Sequence, residues 1–309
     1  MNVSVPVTVS PESDVPTHRP DRATVRSADF ADIPAICAFL EQHVETSVFL
    51  LANLNERGIR ATSSPLSGNF GLIEDAGSLA GVFCLTRRGD LLVQTGGRPD
   101  FVDPILEACA LEPFPLTGVI AEWTIADAVW SRLLSSSDFA SRYRCKSVVY
   151  CLDHLPDGSD VPGGITIREL TEHDYEIWDP IDRAFHESEG LQVMPDETRR
   201  RAGYRMRADV GGWWGAFAGG ELVSTACLNA AYRGLGQIGG VYTRPDHRRR
   251  GLAKRVMVAL TRAHRVRSGL ERLVLFAAEQ NRPARTLYES MGFAERGRFG
   301  LLFGARAEP

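Results

Sequence analysis

Three consecutive arginines, Arg248–Arg250, come directly before Gly251 and the start of an amphipathic helix. The first main-chain N–H groups of a helix lack partners within the helix and lie at the positive end of its dipole. Gly251 has no Cβ, so an anion can approach the backbone closely, and the arginines add positive charge beside it. The stretch therefore predicts a site for a phosphate or pyrophosphate group. Taken alone, it is equally compatible with a solvated basic turn.

A second pair of residues that could take part in chemistry lies downstream. Asn281 and Tyr288 are seven residues apart, or two helical turns, so both point to the same side of one short helix. Asn281 is also suited to cap that helix, which we predict to begin at Pro283. The alternative role for Tyr288 is packing, with its hydroxyl at the edge of the helix.

These two motifs resemble the signatures of the GNAT superfamily of acyl-CoA N-acyltransferases. Arg248-Arg-Arg-Gly-Leu-Ala253 is similar to the pyrophosphate-binding pattern Arg/Gln-x-x-Gly-x-Gly/Ala, and Val241 and Pro245 precede it at the usual spacing. Asn281-Arg-Pro-Ala-Arg-Thr-Leu-Tyr288, followed by Gly292-Phe293, is similar to the second pattern, Asn-x-x-Ala-x-x-x-Tyr. Two signatures in the correct order are more specific than either alone.

The resemblance implies acetyl-coenzyme A as co-substrate. It also implies main-chain contacts to the pyrophosphate, a strand lying along the pantetheine arm, contact of Asn281 with the pantetheine amide, and a proton from Tyr288 to the departing thiolate. The implied cofactor-binding residues are Val241, Tyr242, Arg248, Arg249, Arg250, Gly251, Leu252, Ala253, Lys254, Asn281 and Ala284.

The predicted reaction needs no covalent enzyme intermediate. An uncharged amine attacks the thioester carbonyl in a ternary complex, backbone N–H groups polarise the carbonyl oxygen, and Tyr288 is the general acid. The predicted strand Gln237–Thr243 carries no carboxylate of the kind that many relatives use as a base. Glu187 and Glu189, in a segment predicted as a loop, are the candidate bases, directly or through water. The alternative is a solvated pair of carboxylates.

Apolar periodicity predicts the elements that position these residues. Strands and helices follow the order β-α-α-β-β-β-α-β-α-β in both halves. This order predicts an α/β (α+β) fold of two tandem GNAT-like domains, each a mixed, mostly antiparallel sheet flanked by helices. The predicted boundaries are a flexible tail over residues 1–23, a degenerate GNAT-like domain over 24–154, a linker over 155–164 and a catalytic domain over 165–309. If the halves are independent, residues 160–309 alone should bind coenzyme.

The first half lacks both signatures. The counterpart of the basic turn is Gln94-Thr-Gly-Gly-Arg-Pro-Asp-Phe101, and the helix predicted at Ile125–Leu134 has no Asn and Tyr pair. We therefore predict that this half binds no coenzyme and shapes the acceptor cleft or the domain interface. Glu122 and Trp123 are its candidate acceptor contacts.

Composition narrows the classes of function. The chain has 309 residues and a net charge of −4, which gives no global basic field for nucleic acid, and no apolar run long enough to span a bilayer. Six cysteines without a CxxC pair argue against a metal site or a disulfide framework. These features predict a cytoplasmic protein whose partners are acetyl-CoA and an unidentified amine acceptor, without nucleic acid, membrane or metal. A homodimer is possible.

Two other functions fit the sequence less well. A non-catalytic acyl-CoA-binding sensor or partner-binding module would keep the coenzyme site without a base, whereas Tyr288 favours turnover. An aminoacyl-tRNA-dependent transferase would need a larger basic face than a chain of net charge −4 offers. We therefore predict an N-acetyltransferase that acts on a primary amine of a small molecule or a peptide.

Overall fold

The computed structural model describes residues 23–154 and 163–306. The predicted tail and linker lie outside the described residues, except for residues 23, 163 and 164. The strands are β1 Thr24–Ser27, β2 Gly68–Asp75, β3 Ser78–Thr86, β4 Asp90–Gln94, β5 Gly118–Glu122, β6 Phe139–Leu152, β7 Ile165–Glu169, β8 Trp213–Ala218, β9 Glu221–Tyr232, β10 Leu235–Thr243, β11 Arg272–Ala278 and β12 Ala294–Arg306. The helices are α1 Ile33–Glu41, α2 Val44–Arg57, α3 Val102–Ala110, α4 Trp123–Leu134, α5 Tyr175–Glu189, α6 Glu197–Ala208, α7 Leu252–Ser268 and α8 Arg282–Ser290.

The strands of the described residues form one sheet in the order β1-β2-β3-β4-β5-β12-β6-β11-β10-β9-β8-β7. Neighbouring strands are antiparallel, except that β4 is parallel to β5 and β10 is parallel to β11. The predicted fold class, a mixed and mostly antiparallel sheet flanked by helices, is confirmed.

At the centre of this sheet the two halves exchange their last strands. β6, from the first half, lies between β11 and β12, and β12, from the second half, lies between β5 and β6. Ser147 of β6 pairs with both Ala278 and Phe299, and Phe299 also pairs with Glu122. The sheets predicted for the two halves are therefore joined into one continuous sheet, in which each half completes the other.

Helices cover both faces of the sheet. On one face, Val256 and Leu260 of α7 belong to the same apolar cluster as Tyr150 of β6. On the opposite face, Val48 of α2 packs in a cluster with Val149 of β6. Because successive residues of β6 enter cores on opposite faces, this strand is central to both halves. No helix of the described residues is long and apolar enough to cross a membrane.

Helix α5 is longer than its sequence pattern predicts. The apolar periodicity ends near Phe185, but the helix continues to Glu189 and stops where Gly190 adopts a φ of 70°. The prediction that Glu187 and Glu189 lie in a loop is therefore wrong, because the left-handed glycine ends the helix and the polar residues before it belong to the last turn. Residues four apart share a helical face, so Glu189 lies on the same side as Phe185.

Candidate active site

The central strands β10 and β11 separate at the site. They pair only from Leu235–Ile238 with Arg272–Leu275. Beyond that point β10 follows β9, with a register shift between Gly239 and Tyr242, while β11 follows β6 as far as Ala278. Backbone N–H and C=O groups of both strands therefore face a gap instead of each other. A bound molecule can use these groups.

The bulge in β10 depends on glycine. Gly240 has a φ of 57°, and a Cβ added there would lie 2.8 Å from the Trp213 ring. A larger residue would be strained in backbone conformation and would also collide with the indole. The close approach of Trp213 thus fixes the point at which β10 leaves β11.

A cleft of about 720 Å³ opens where the two strands part. It brings together residues from α5, β10, the basic turn, α7 and α8. Among the residues predicted from sequence, those that line the cleft are Glu189, Val241, Tyr242, Arg248, Arg249, Gly251, Leu252, Ala253, Lys254, Asn281, Ala284 and Tyr288.

Two predicted residues lie outside the cleft lining. Arg250 is exposed, and its carbonyl oxygen accepts a hydrogen bond from Arg255 at 2.8 Å. Glu187 is exposed on a different side of α5 from Glu189. Of the two candidate carboxylates, Glu189 lines the cleft and Glu187 does not.

The basic turn presents an open helix start. Arg249 and Gly251 have φ values of 61° and 71°, and Gly251 is the N-cap of α7 without a side-chain hydrogen bond. The first turn of α7 contains no acidic residue. Alternating positive φ values turn successive N–H groups toward one point and form a nest that suits an anion. Arg248 is held beside the nest, with its Nε donating to the Thr243 carbonyl at 3.1 Å.

Asn281 and Glu189 are joined directly. The Asn281 Nδ2 donates to Glu189 Oε1 at 2.9 Å, while its Oδ1 accepts from the Ala284 N–H at 3.2 Å and caps α8. Burial raises the pKa of Glu189, and the hydrogen bond from Asn281 opposes this effect. A carboxylate with a raised pKa is a stronger base than an exposed one.

Tyr288 lies at the inner wall of the cleft, with only 6% of the residue exposed. Its ring packs 6.1 Å from Tyr150 and 5.8 Å from Phe293, measured between centroids. Among the described residues its hydroxyl has no hydrogen-bond partner. Burial raises the pKa of Tyr288, and the charge of Glu189 raises it further. The hydroxyl therefore keeps its proton at neutral pH and is free to donate it.

The structure adds lining residues that sequence reasoning missed. Phe185 and Ser188 of α5, His247 before the basic turn, and Thr286 and Leu287 of α8 all contribute to the cleft. Phe185 could have been found from its four-residue spacing to Glu189. The others carry no motif that distinguishes them.

Glu122 and Trp123, predicted as acceptor contacts, have structural partners in the first half. The carboxylate of Glu122 accepts from the Thr124 N–H at 2.9 Å and caps α4. Arg144 and Lys146 lie over the Trp123 ring, 4.8 and 5.2 Å from its centroid. Their role toward an acceptor stays a prediction.

Residues 156–293 match the family model described as acetyltransferase (GNAT) family. No curated protein matches the chain. A Drosophila protein of known X-ray structure aligns with a TM-score of 0.63 and 15% identity, over 92% of this chain and 99% of its own. A GCN5-related N-acetyltransferase from Sphaerobacter thermophilus aligns with a TM-score of 0.51 and 20% identity, over 94% and 97%. A tandem GNAT protein from the clavulanic acid biosynthesis pathway aligns with a TM-score of 0.50 and 15% identity, over 93% and 99%.

At these identities the solved structures show a shared fold, which extends through both halves. The family match covers β10, the basic turn, α7 and α8, the elements that form most of the cleft. The match of residues 156–293 to this family model supports an acyltransferase activity. Residues 156–293 therefore form a domain of the acetyltransferase (GNAT) family.

Proposed function

We propose that this protein transfers the acetyl group of acetyl-CoA to a primary amine of a small molecule or a peptide by direct attack in a ternary complex. The observation that carries the proposal is the single cleft that joins an uncapped helix start at Gly251, the gap between β10 and β11, and the half-buried Glu189 beside the buried Tyr288. These are the three parts that the reaction needs: an anion site, backbone donors and proton-transfer groups.

The anion site would hold the pyrophosphate of the coenzyme. The N–H groups of the nest at Arg249 and Gly251 would bind its oxygens, with Arg248 and Lys254 supplying charge. From there the pantetheine arm would run along Val241 and Tyr242 into the gap between the strands. Asn281 would reach the pantetheine amide with the Nδ2 hydrogen not used by Glu189.

The thioester would then lie at the bulge of β10. The amine nitrogen attacks the carbonyl carbon, and backbone N–H groups of the splayed strand stabilise the negative charge on the oxygen. The C–S bond breaks, and the Tyr288 hydroxyl donates its proton to the departing sulfur. The products are an amide and the free thiol of coenzyme A.

Glu189 is the base in this scheme. It takes a proton from the incoming ammonium or amine, directly or through water. Its half-buried position at the cleft and its raised pKa support this role. The free thiols of all six cysteines fit the cytoplasm as the compartment of the enzyme.

The activity is tested by incubating the protein with acetyl-CoA and a panel of primary amines and measuring the release of free coenzyme A thiol. Turnover that depends on one class of amine supports the proposal. Tight coenzyme binding without turnover on any amine or peptide of the panel would favour the non-catalytic sensor.

The base is tested by Glu189→Gln, with Glu187→Gln as the matched control on the same helical turn. Because Glu189 acts in its ionised form, kcat/KM of the parent protein should fall as the pH drops through its raised pKa. Glu189→Gln should lower kcat by about 100-fold or more and remove that acidic limb of the profile. Glu187→Gln should leave both unchanged, and the reverse pattern would reassign the base.

A further inference from the structure

Strand β6 has an open edge beside the cleft. On one side β12 pairs with it as far as Arg306 with Phe139. On the other side β11 pairs with it only as far as Ala278 with Ser147. In the part of the chain that the structure describes, no strand lies against that second side beyond Ser147. Residues 139–146, the open segment of β6, therefore form an edge within the sheet.

Main-chain groups of the open segment point to the side that β11 leaves free. The carbonyl of Lys146 faces this side, because it accepts from the Glu279 N–H at 3.0 Å. In an antiparallel pair, alternate residues direct their N–H and C=O groups to the same side. The N–H and C=O of Arg144 therefore also face the open side. Such unpaired main-chain groups at a strand edge are the groups that bind an added strand.

The open segment begins at the residues that hold the proposed base. Gln280 and Asn281 line the cleft directly after Glu279, whose N–H bonds to Lys146. The Nδ2 of Asn281 donates to Glu189 at 2.9 Å. An extended chain that follows the open segment therefore has one end beside Glu189 and the gap between β10 and β11.

The two faces of the open segment differ in chemistry. Successive side chains of a strand point to opposite faces, so Tyr143 and Arg144 lie on different sides of the sheet. The ring of Tyr143 stacks on Phe303 with 6.0 Å between centroids, and both rings are half-buried. Burial raises the pKa of Tyr143, and the neighbouring Cys145 and the charge of Glu189 raise it further. This aromatic face is thus within electrostatic range of the proposed base.

Cations outnumber carboxylates along the open segment. Arg144 pairs with Asp127 at 2.6 Å, and Lys146 pairs with Glu279 at 3.6 Å. Arg142 is exposed, and no carboxylate of the described residues forms an ion pair with it. The segment therefore attracts a ligand that carries negative charge.

We propose that the acceptor is the N-terminal amine of an extended peptide, which adds to the open segment of β6 as a short antiparallel strand. This inference rests on the proposed acetyltransferase function. The peptide N-terminus lies at the cleft end of the segment, beside Lys146, so the peptide runs toward Phe139 and opposite to β6. The amine of the first residue attacks the thioester, the amide bond forms, and coenzyme A leaves as the thiol.

The contacts of each peptide residue follow from this direction. The main chain of the second residue exchanges two hydrogen bonds with Arg144. Its side chain lies on the same face as the Arg144 guanidinium, which favours an acidic residue there. The third side chain lies on the opposite face, against the Tyr143 ring, which favours an apolar residue. A free amine or a single amino acid makes none of these contacts.

The main-chain contacts are tested with the tetrapeptide amide Ala-Glu-Phe-Ala and with alanine amide, by measuring release of coenzyme A thiol from acetyl-CoA. The tetrapeptide should have a kcat/KM about tenfold or more above that of alanine amide, as two added main-chain hydrogen bonds predict. Methylating the amide nitrogen of the second residue removes one of these bonds and should lower kcat/KM by about tenfold. Methylating that of the third residue, which points away from β6, is the matched control and should leave it unchanged.

The side-chain contact is tested by changing the protein. The parent should prefer Ala-Glu-Phe-Ala over Ala-Gln-Phe-Ala by about three- to fivefold, as a partly exposed ion pair predicts. Arg144→Ala should lose this preference and keep the effect of methylating the second residue, because its main chain is unchanged. Arg132→Ala also removes an exposed arginine that pairs with an aspartate of the first half, and it should change neither result. Equal acetyl-CoA affinity of all three proteins verifies that they are folded.

Two results would overturn the inference: equal kcat/KM for the tetrapeptide and alanine amide, or an equal loss on methylating the second and the third residue. Either result would mean that the charged side chains only protect this edge from pairing. The acetyltransferase function would still stand, because alanine amide would be turned over. No thiol release with any peptide or amine would instead contradict the proposed function, and this inference with it.

Discussion

The two halves of the chain share one structural device near their first strands. Arg26 and Asp32 in the first half, and Arg168 and Asp174 in the second, form two-pronged ion pairs with N–O distances of 2.7 and 2.8 Å. In each case the aspartate also accepts, at 2.8 Å, from the backbone N–H three residues before it. The guanidinium lowers the pKa of each carboxyl to about 2. The halves are thus two copies of one scaffold.

The copies differ at the end where a coenzyme would bind. β4 and β5 pair from Asp90 with Gly118 to Val93 with Ala121, which is four of the five residues of each strand, so the two strands end almost where their pairing ends. β10 and β11 also share four residue pairs, but β10 continues for five residues beyond them and β11 for three. Only the second half therefore exposes main-chain groups to a ligand at this place.

The helix starts differ in the same sense. Arg98 of the first half is neutralised by Asp75 and Asp100, at 2.6 Å from each. The first turn of α3, the counterpart of α7, carries the acidic Asp103, whereas the first turn of α7 contains no acidic residue. An arginine or a helix N-terminus binds an anionic ligand only where a carboxylate of the protein does not already neutralise it. This difference supports the prediction that the second half binds coenzyme and the first half does not.

The largest effect is expected from separating the halves. Residues 163–309 alone should fail to fold as a monomer and should not bind acetyl-CoA, because β11 and β12 would both lose β6 between them. The apolar cluster under α7 would also lose Val148, Tyr150 and Leu152. Loss of cooperative thermal unfolding measures this result.

Co-expression gives the control. Residues 1–158 and 159–309, produced together as two chains, should co-purify and regain coenzyme binding. A stable, monomeric 163–309 fragment that binds acetyl-CoA would contradict the exchanged-strand sheet and restore the prediction of independent halves.

The next largest effect should come from the nest. Gly251→Glu should weaken acetyl-CoA binding by at least about 100-fold, because a negative side chain at a φ of 71° is strained and repels the pyrophosphate. The matched change in the first half is Gly97→Glu, at a φ of 83° with open space around it. It should leave the affinity unchanged. Calorimetric titration of both variants decides between one coenzyme site and two.

A smaller effect, confined to turnover, is expected at the inner wall of the cleft. Tyr288→Phe should lower kcat by about 100-fold and change the affinity for acetyl-CoA little, because it removes a proton donor and keeps the ring. Tyr150→Phe is the control, since its ring packs against Tyr288 but its hydroxyl donates to Glu289 at 2.5 Å. Equal rates for both variants would mean that Tyr288 only packs against its neighbours.

The first half has no equivalent of the Tyr288 hydroxyl. In α4, the position seven residues after the N-cap is the buried Val129, which has no proton to donate.

Most residues of the site can be predicted from the sequence, because they lie close together in the chain. The basic turn, the glycine and the Asn281 to Tyr288 spacing depend on one turn and two adjacent helices, and their residues line one cleft. The proposed base, Glu189, lies on α5, more than 90 residues before Asn281 in the chain, and the last turn of that helix escapes prediction because His186–Glu189 carries no apolar pattern.

The strand exchange could not be predicted from the same information. The apolar pattern predicts a strand only over Ser147–Leu152, but β6 begins at Phe139, and its early residues, among them Arg142 and Arg144, are exposed and charged. Their pairing with β12, up to Phe139 with Arg306, is set by contacts more than 150 residues apart. Apolar periodicity predicts on which face of the sheet a side chain lies, but it does not predict with which strand its own strand pairs. Both Arg and Asp pairs are visible in the sequence. Only the structure shows that each of them forms the same ion pair, and this correspondence aligns the two halves.

The smallest effect should come from that repeated pair, where the halves are alike. Asp174→Asn should lower Tm by about 2–4 °C, because the capping hydrogen bonds weaken while solvent screens the ion pair to the partly exposed Arg168. Since the folded pKa of Asp174 is about 2, below its ordinary 3.8, this stabilisation is complete above pH 4 or so and is lost as the pH falls toward 2. The Tm difference between parent and variant should close over that range. Asp32→Asn should show the same pH dependence with coenzyme binding intact in both variants. If Asp174→Asn alone lost affinity for acetyl-CoA, the ion pair of the second half would support the coenzyme site as well as the fold. The ion pair of the first half would then support the fold only.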